Sequence, residues 1–250
     1  PAFSDIHFFD ENTGIVIGSL GAIYKTYDGG LNWEKKESNT NISLNVLHFI
    51  DNTTGFIGAA GRKYLKTSDS GETWTIDSIM AIPQENGSVD GIYFSDANTG
   101  WVLSSTSSST GPGWVLRTVD GGANWERVLH ISSKTGCHDV SMDRNNPRIL
   151  YAVAWQVQRY PHILWSGGEE SGLWRSFDGG DTWEDITRNP GLPEGIGGKS
   201  GVSVSGAKAG RVWAQIEAEN SGVYRSEDYG ATWAQVNDDL DIGRRPWYYM

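Results

Sequence analysis

The chain has 250 residues, including 12 tryptophans and 32 glycines, with 38% hydrophobic residues and a formal net charge of −11. A chain of this length can bury the core of one large β domain or of two small ones. The acidic balance argues against nucleic-acid binding, which needs a basic surface, and no apolar run is long enough to span a membrane.

The first 36 residues predict four short strands in succession. An alternating strand over 5–9 precedes an Asn-Thr-Gly turn, an apolar strand over 15–18 and a third strand over 23–25, and a fourth begins at Trp33. The same order of signals recurs four times, so each segment predicts a four-stranded antiparallel meander, or blade. The blades cover roughly residues 4–36, 45–77, 90–128, 137–186 and 199–236, and we interpret 237–250 as a closing or truncated strand.

One eight-residue phrase separates the third and fourth strands of every blade. Its pattern is Ser/Thr-x-Asp-x-Gly-x-Thr/Asn-Trp, and it begins at residues 26, 67, 118, 176 and 226. The Asp side chain can accept hydrogen bonds from backbone N–H groups of a tight turn, and Gly tolerates the positive φ that such a turn needs. The Trp then starts the next strand, where it can be buried between sheets. We therefore predict structural roles for Asp28, Trp33, Asp69, Trp74, Asp120, Trp125, Asp178, Trp183, Asp228 and Trp233.

The phrase lacks the alternating oxygen ligands and the twelfth-position Glu of an EF-hand calcium loop. We therefore expect it to bind no metal, and the sequence indicates no other cofactor. A cationic residue precedes each phrase, and because it recurs in every blade we interpret it as a sheet-surface or inter-blade contact. These residues are Lys25, Lys66, Arg117, Arg175 and Arg225.

The phrase resembles the Asp-box, or BNR, repeat of sialidases, sortilin-type receptors and photosystem II assembly factors. Residues 1–130 are similar to the assembly-factor type of repeat. Residues 137–249 are similar to bacterial secreted proteins with sortilin-like repeats, in Gly172–Ser176, 187–193 and Trp247–Tyr249. The resemblance implies an all-β fold, a single β-propeller domain of five four-stranded antiparallel blades with Asp-box turns. The alternative is a fragment of a six- to eight-bladed ring.

The turns of such a meander alternate between the two ends of each sheet. The Asp-boxes share one end with the turns between the first and second strands, whereas the insertions lie at the opposite end. These insertions are residues 105–113 and 156–171 and the connectors 78–89, 188–199 and 237–245. Long loops on a rigid scaffold often carry binding sites. Residues 155–171 hold the most aromatic and charged side chains, which predicts a binding site of Trp155, Arg159, Tyr160, His162 and Trp165. The alternative is a loop that folds its aromatic residues over the end of the blade.

The function favoured by these features is a non-catalytic scaffold that recognises a protein or a glycan through its insertion-bearing face. One alternative is a glycoside hydrolase of sialidase-like or other Asp-box type, with an acid/base pair drawn from Glu217, Glu219, Asp238, Asp239 and Asp241. A sialidase also needs an Arg-Ile-Pro-type motif near the first blade, and the nearest match, Arg148-Ile149-Leu150, lies in the fourth blade without the proline. The other alternative is a structural module of a longer cell-surface protein. The resemblance favours an extracytoplasmic or secreted location.

Overall fold

The computed structural model describes residues 1–83, 85–106, 113–160, 162–195 and 197–239; at residues 159, 160 and 164 it describes the backbone only. The described residues form β-strands joined by turns and loops, and the one helical element among them is a 3-10 turn at Ser19–Gly21. They include no helix with the length and hydrophobicity of a membrane span. The chain divides into two compact units: unit 1 comprises residues 1–107 and 115–127, and unit 2 comprises residues 108–114 and 128–250.

Unit 1 holds the first two sheets and most of the third, and strands adjacent in the chain pair antiparallel in each. The first sheet consists of β1 (Phe3–Phe8), β2 (Gly14–Gly18), β3 (Ala22–Thr26) and β4 (Glu34–Lys36). The second consists of β5 (Leu44–Phe49), β6 (Gly55–Ala59), β7 (Lys63–Thr67) and β8 (Thr75–Ser78). The third consists of β9 (Ser88–Phe94), β10 (Gly100–Ser105), β11 (Trp114–Thr118) and β12 (Glu126–Leu129).

Unit 2 holds the fourth and fifth sheets. The fourth consists of β13 (Thr135–Met142), β14 (Leu150–Tyr160), β15 (Ile163–Ser166), β16 (Gly172–Ser176) and β17 (Glu184–Asp185). Here β15 is an addition to the four-stranded meander, and it pairs with the far half of β14. The fifth consists of β18 (Gly201–Val204), β19 (Val212–Ile216), β20 (Gly222–Ser226) and β21 (Ala234–Asn237). The prediction of five four-stranded antiparallel blades is confirmed, whereas the single domain and the role of 237–250 stay predictions, since residues 240–250 lie outside the described range.

The Asp-box turns share one hydrogen-bond pattern. In the second box the Thr67 hydroxyl accepts from the Gly71 N–H at 3.0 Å and donates to Asp69 at 2.7 Å. Asp69 accepts from both the N–H and the hydroxyl of Thr73, at 2.9 and 2.5 Å. The φ angles of Ser70 and Gly71 are +61° and +80°, as a turn of this shape requires. Equivalent bonds form in the other boxes, with Asn replacing Thr in the first and third.

The boxes and the turns between first and second strands lie at the same end of each blade, as the meander geometry predicted. The fourth residue of every box donates its N–H to a carbonyl of that neighbouring turn. The pairs are Gly29–Asn12, Ser70–Thr53, Gly121–Asn98, Gly179–Arg148 and Tyr229–Gly210, all at 2.8–2.9 Å. This leaves the opposite end of each blade to the second turn and the connectors.

The box tryptophans are buried to different extents. Trp74 is 3% exposed in a cluster with Ile15 and Ile17 of the preceding blade, and Trp233 is 7% exposed against Tyr151 and Ile186 of the blade before it. The remaining three, Trp33, Trp125 and Trp183, are partly exposed. The five boxes therefore bury their tryptophans unequally, and their structural role stays a prediction. Trp74 and Trp233 thus pack in core clusters that they share with the preceding blade of the same unit.

The cationic residue before the box connects neighbouring blades in two places. The Lys25 ammonium donates to the Ser70 carbonyl at 2.8 Å and pairs with Glu72 at 2.6 Å. Arg175 donates to the Tyr229 carbonyl at 2.7 Å. Ser70 and Tyr229 are both the fourth residue of the next box, so the inter-blade interpretation is confirmed for Lys25 and Arg175. A positive charge is well placed there because the carbonyl would otherwise be left unpaired in a half-buried turn.

Candidate functional site

The residues predicted to bind a partner lie on a β-hairpin that prolongs β14 past the rest of the fourth sheet. Val157 lies opposite Ser166, and Tyr160 lies opposite Ile163. The interpretation of 156–171 as a loop was therefore wrong for much of its length. The signal was present in the sequence: two runs of strand-forming residues flank Pro161-His162, a pattern typical of a hairpin. The other insertion, 105–113, lies mostly outside the described residues.

Trp155 forms part of the hairpin's base. It is half-buried, and its indole N–H donates to the Ser166 hydroxyl at 3.2 Å. The Lys199 ammonium lies 5.6 Å from the ring centroid, a cation–π distance, and the His138 ring lies at 5.8 Å. These contacts fix the indole in the scaffold.

The exposed side chains lie farther out along the hairpin. Trp165 is 54% exposed and Ile163 is 43% exposed, and strand alternation places both on one side of β15. His162, at the turn, is also exposed. Arg159 and Tyr160 complete β14, but their side chains lie outside the described residues. The hairpin thus brings Trp155, His162 and Trp165 onto one element, and their role in binding stays a prediction.

Two carboxylates hold the base of the hairpin. Glu170 accepts hydrogen bonds from the hydroxyls of Ser132 and Thr135, both at 2.5 Å, and these bonds lower the pKa of its carboxyl. Glu217 accepts from the Ser166 hydroxyl at 2.9 Å and from the Lys199 N–H at 2.6 Å. Glu170 ties the hairpin to the start of β13, and Glu217 ties it to the fifth sheet. A surface element held in this way would lose little conformational entropy on binding a partner.

We expect Glu217→Ala to loosen the hairpin. The change leaves the Lys199 N–H and the Ser166 hydroxyl without their acceptor, which should cost about 1–3 kcal/mol. Hydrogen exchange should rise across residues 163–171, with Glu219→Ala, at an exposed carboxylate near by, as the control. Equal exchange in the two variants would show that Glu217 does not hold the hairpin.

The same contacts bear on the glycosidase alternative. Glu217, one of its candidate residues, is already engaged by Ser166 and Lys199. Glu219, Asp238 and Asp239 are exposed, and Asp241 lies outside the described range. Within the part of the chain that the structure describes, no group of three or more His, Cys, Asp or Glu side chains could hold a metal ion.

A polar cleft opens at the end of the fifth sheet that carries the turn between β19 and β20. It has a volume of about 580 Å³ and lies between 191–195 and the turn at Glu219-Asn220, with Tyr224 and Gln235 in its lining. A cavity of about 30 Å³, lined by residues that include Leu173 and Ile216, shares its wall at 193–195. The smaller space suits a single water molecule.

The comparisons with known proteins identify the repeat type. Residues 38–152 match the family of the photosynthesis system II assembly factor YCF48, and no curated protein matches the chain. A GH74 xyloglucanase from Xanthomonas campestris aligns with a TM-score of 0.65 at 16% identity, over 90% of this chain and 36% of that one. A GH74 enzyme from Niastella koreensis aligns at 0.63 and 19% identity over the same shares.

A structure of YCF48 bound to a D1 peptide aligns with a TM-score of 0.47 at 20% identity, over 98% of this chain and 82% of that one. The chain spans just over a third of the length of the GH74 enzymes. The family match and the GH74 alignments show a β-propeller fold of BNR-type repeats, and the family match relates these repeats to those of the photosystem II assembly factor. The matches do not show the function, which has to be argued from the residues of this chain.

Proposed function

We propose that this chain is a protein-binding β-propeller module and that the β14–β15 hairpin is its contact element. The observation that carries the proposal is an exposed tryptophan, Trp165, on a hairpin whose base is held by Glu170 and Glu217. Tryptophan is strongly enriched among the residues that dominate binding energy at protein interfaces.

The contrast with the box end of the blades supports the same proposal. The boxes have one length and one hydrogen-bond pattern, so they suit a scaffold. Within the described residues a hairpin of this kind occurs in one blade, and a single asymmetric site on a repeated fold needs unrepeated side chains of this kind. The match of residues 38–152 to an assembly-factor family agrees with a role in binding other proteins. The extracytoplasmic location stays a prediction.

The first test compares two exposed aromatic residues of the same blade. Trp165→Ala removes the proposed anchor, whereas Phe177→Ala removes a ring of similar exposure, 49%, from the box end. The probe is a phage-displayed library of random dodecapeptides selected on the parent chain. We expect Trp165→Ala to weaken the selected peptides by about 30-fold or more, as truncation of a hot-spot residue does, and Phe177→Ala to leave them unchanged.

A second variant removes the hairpin without disturbing the strands below it. The Gly167 N–H donates to the Gln156 carbonyl at 2.9 Å, so an Asn-Gly turn between these two residues can close the shortened hairpin. We expect this variant to lose peptide binding. Failure to select any peptide, retention of binding without the hairpin, or binding and hydrolysis of sialosides or β-glucans would each contradict the proposal.

A further inference from the structure

The hairpin has an open strand edge along β15. Within the described residues, β14 is the one strand that pairs with β15, and an isolated antiparallel bridge between Gly168 and Gly197 lies just past the end of β15. The other edge of β15 is therefore open along Ile163–Ser166. The bond between the Gly167 N–H and the Gln156 carbonyl sets the alternation of the ladder. By that alternation the backbone groups of Trp165 and Ile163 point toward β14, and those of Leu164 and Ser166 point toward the open edge.

Most outer strands of the blades carry charged residues that discourage pairing with another chain, whereas β15 carries none. Soluble proteins protect sheet edges with short strands and charged residues, because an open edge recruits other extended chains. The fourth strands have two to four residues, and four of them include at least one charge: β4, β8, β12 and β17. By contrast, β15 has the uncharged sequence Ile-Leu-Trp-Ser.

The exposed side chains define what an added strand would meet. Ile163 and Trp165 lie on one side of the ribbon, 43% and 54% exposed. A strand placed along the edge presents alternate side chains to that side, so apolar residues at alternate positions would cover both. The net charge of −11 favours basic residues at the flanks of such a segment.

We infer that an extended segment of the partner protein binds by adding a strand to the edge of β15. Its backbone bonds to the outward groups of Leu164 and Ser166, while its alternate apolar side chains cover Ile163 and Trp165. Strand addition of this kind takes affinity from main-chain hydrogen bonds and specificity from every second side chain. The inference rests on the proposed function and specifies the form of the bound partner.

The test uses the dodecapeptides selected on the parent chain. Each peptide is methylated at one backbone nitrogen at a time, which removes a single N–H donor and leaves the side chains in place. Strand addition predicts that every second position in the bound core weakens binding about tenfold or more, since each such methylation removes a hydrogen bond and adds a clash. Losses without this alternation would overturn the inference but leave the hairpin as the binding element.

Two proline variants locate the edge on the protein. Leu164→Pro removes an N–H from the open edge of β15. Val157→Pro is the matched control, because the ladder alternation points its N–H away from β15, on the opposite edge of the ribbon. Circular dichroism first checks that both variants keep the parent's melting temperature.

We expect the loss of peptide binding only with Leu164→Pro. A loss of peptide binding confined to Val157→Pro would place the added strand along β14, on the other edge of the ribbon, and would overturn the inference. Concentration-dependent dimerisation of the parent that Leu164→Pro abolishes, with no selected peptide, would show instead that the edge pairs with a second copy. If proline unfolds the hairpin, the methylation pattern decides alone.

Discussion

Trp74→Ala is expected to lower the free energy of unfolding by about 3–5 kcal/mol, as truncation of a large aromatic residue in a core does. The side chain is 3% exposed and lies among Ile15, Ile17 and Leu65, so alanine leaves a cavity between two blades. The change also removes the hydrogen bond from the indole to the Gly71 carbonyl, which is 3.1 Å long. Urea unfolding followed by circular dichroism measures the loss.

Trp33→Ala is the matched control, because Trp33 holds the same box position and makes the same bond to Gly30, at 3.0 Å, while it is only partly buried. We expect a loss of about 1–2 kcal/mol, since less apolar surface returns to water. Equal losses at Trp33 and Trp74 would show that burial against the preceding blade adds nothing to the stability that a box tryptophan contributes. They would instead assign its contribution to the box turn itself.

Acidification from pH 5 to pH 2 is expected to destabilise both units through their Asp-box carboxylates. Burial raises the pKa of Asp69, but the hydroxyl and N–H of Thr73 and the hydroxyl of Thr67 outweigh it and lower the value to about 2. A hydrogen bond from the Thr232 hydroxyl likewise lowers the pKa of Asp228 to about 2. The pKa values of Asp28, Asp120 and Asp178 are lowered as well, by bonds from the Asn or Thr four residues on.

The sign of the pH effect on stability follows from the difference between the pKa of the carboxyl in the folded chain and its pKa in the unfolded chain. A carboxyl whose folded pKa is depressed stabilises the fold above its unfolded value, near 3.8, and that contribution is lost as the pH falls through the folded value. For Asp69 the loss is about 1–2 kcal/mol once partial exposure is allowed for. It is complete only below about pH 2. The melting temperature should therefore fall most steeply between about pH 4 and pH 2.

Asp69→Asn separates the charge from the shape of the turn. The variant should be less stable than the parent at neutral pH, and its melting temperature should fall less between pH 4 and pH 2. Glu11→Gln, at an exposed carboxylate in the turn beside the first box, should keep the parent's pH dependence. If Asp69→Asn retains the full acid sensitivity, the box carboxylate contributes no pH-dependent stability.

The sequence determined the parts of the fold that depend on local contacts. An Asp-box turn closes through residues no more than four apart, as Thr67, Asp69 and Thr73 show, so its pattern alone specifies the turn. The two flanking strands follow because the turn joins them. Repetition at intervals of 41 to 58 residues then extended the prediction to five blades.

The contacts that make a site and a core join residues far apart in the chain, and only the tertiary structure decided those. Glu217 and Ser166 are 51 residues apart and meet because the fourth and fifth sheets are neighbours. The unequal burial of Trp33 and Trp74 is likewise a tertiary property, since Trp74 packs against Ile15 and Ile17 of the sheet before it. Side-chain period and turn chemistry are local properties of a sequence, so the box turns were predictable. Burial depends on which sheet covers which, so the supporting contacts of the hairpin were not predictable from the sequence.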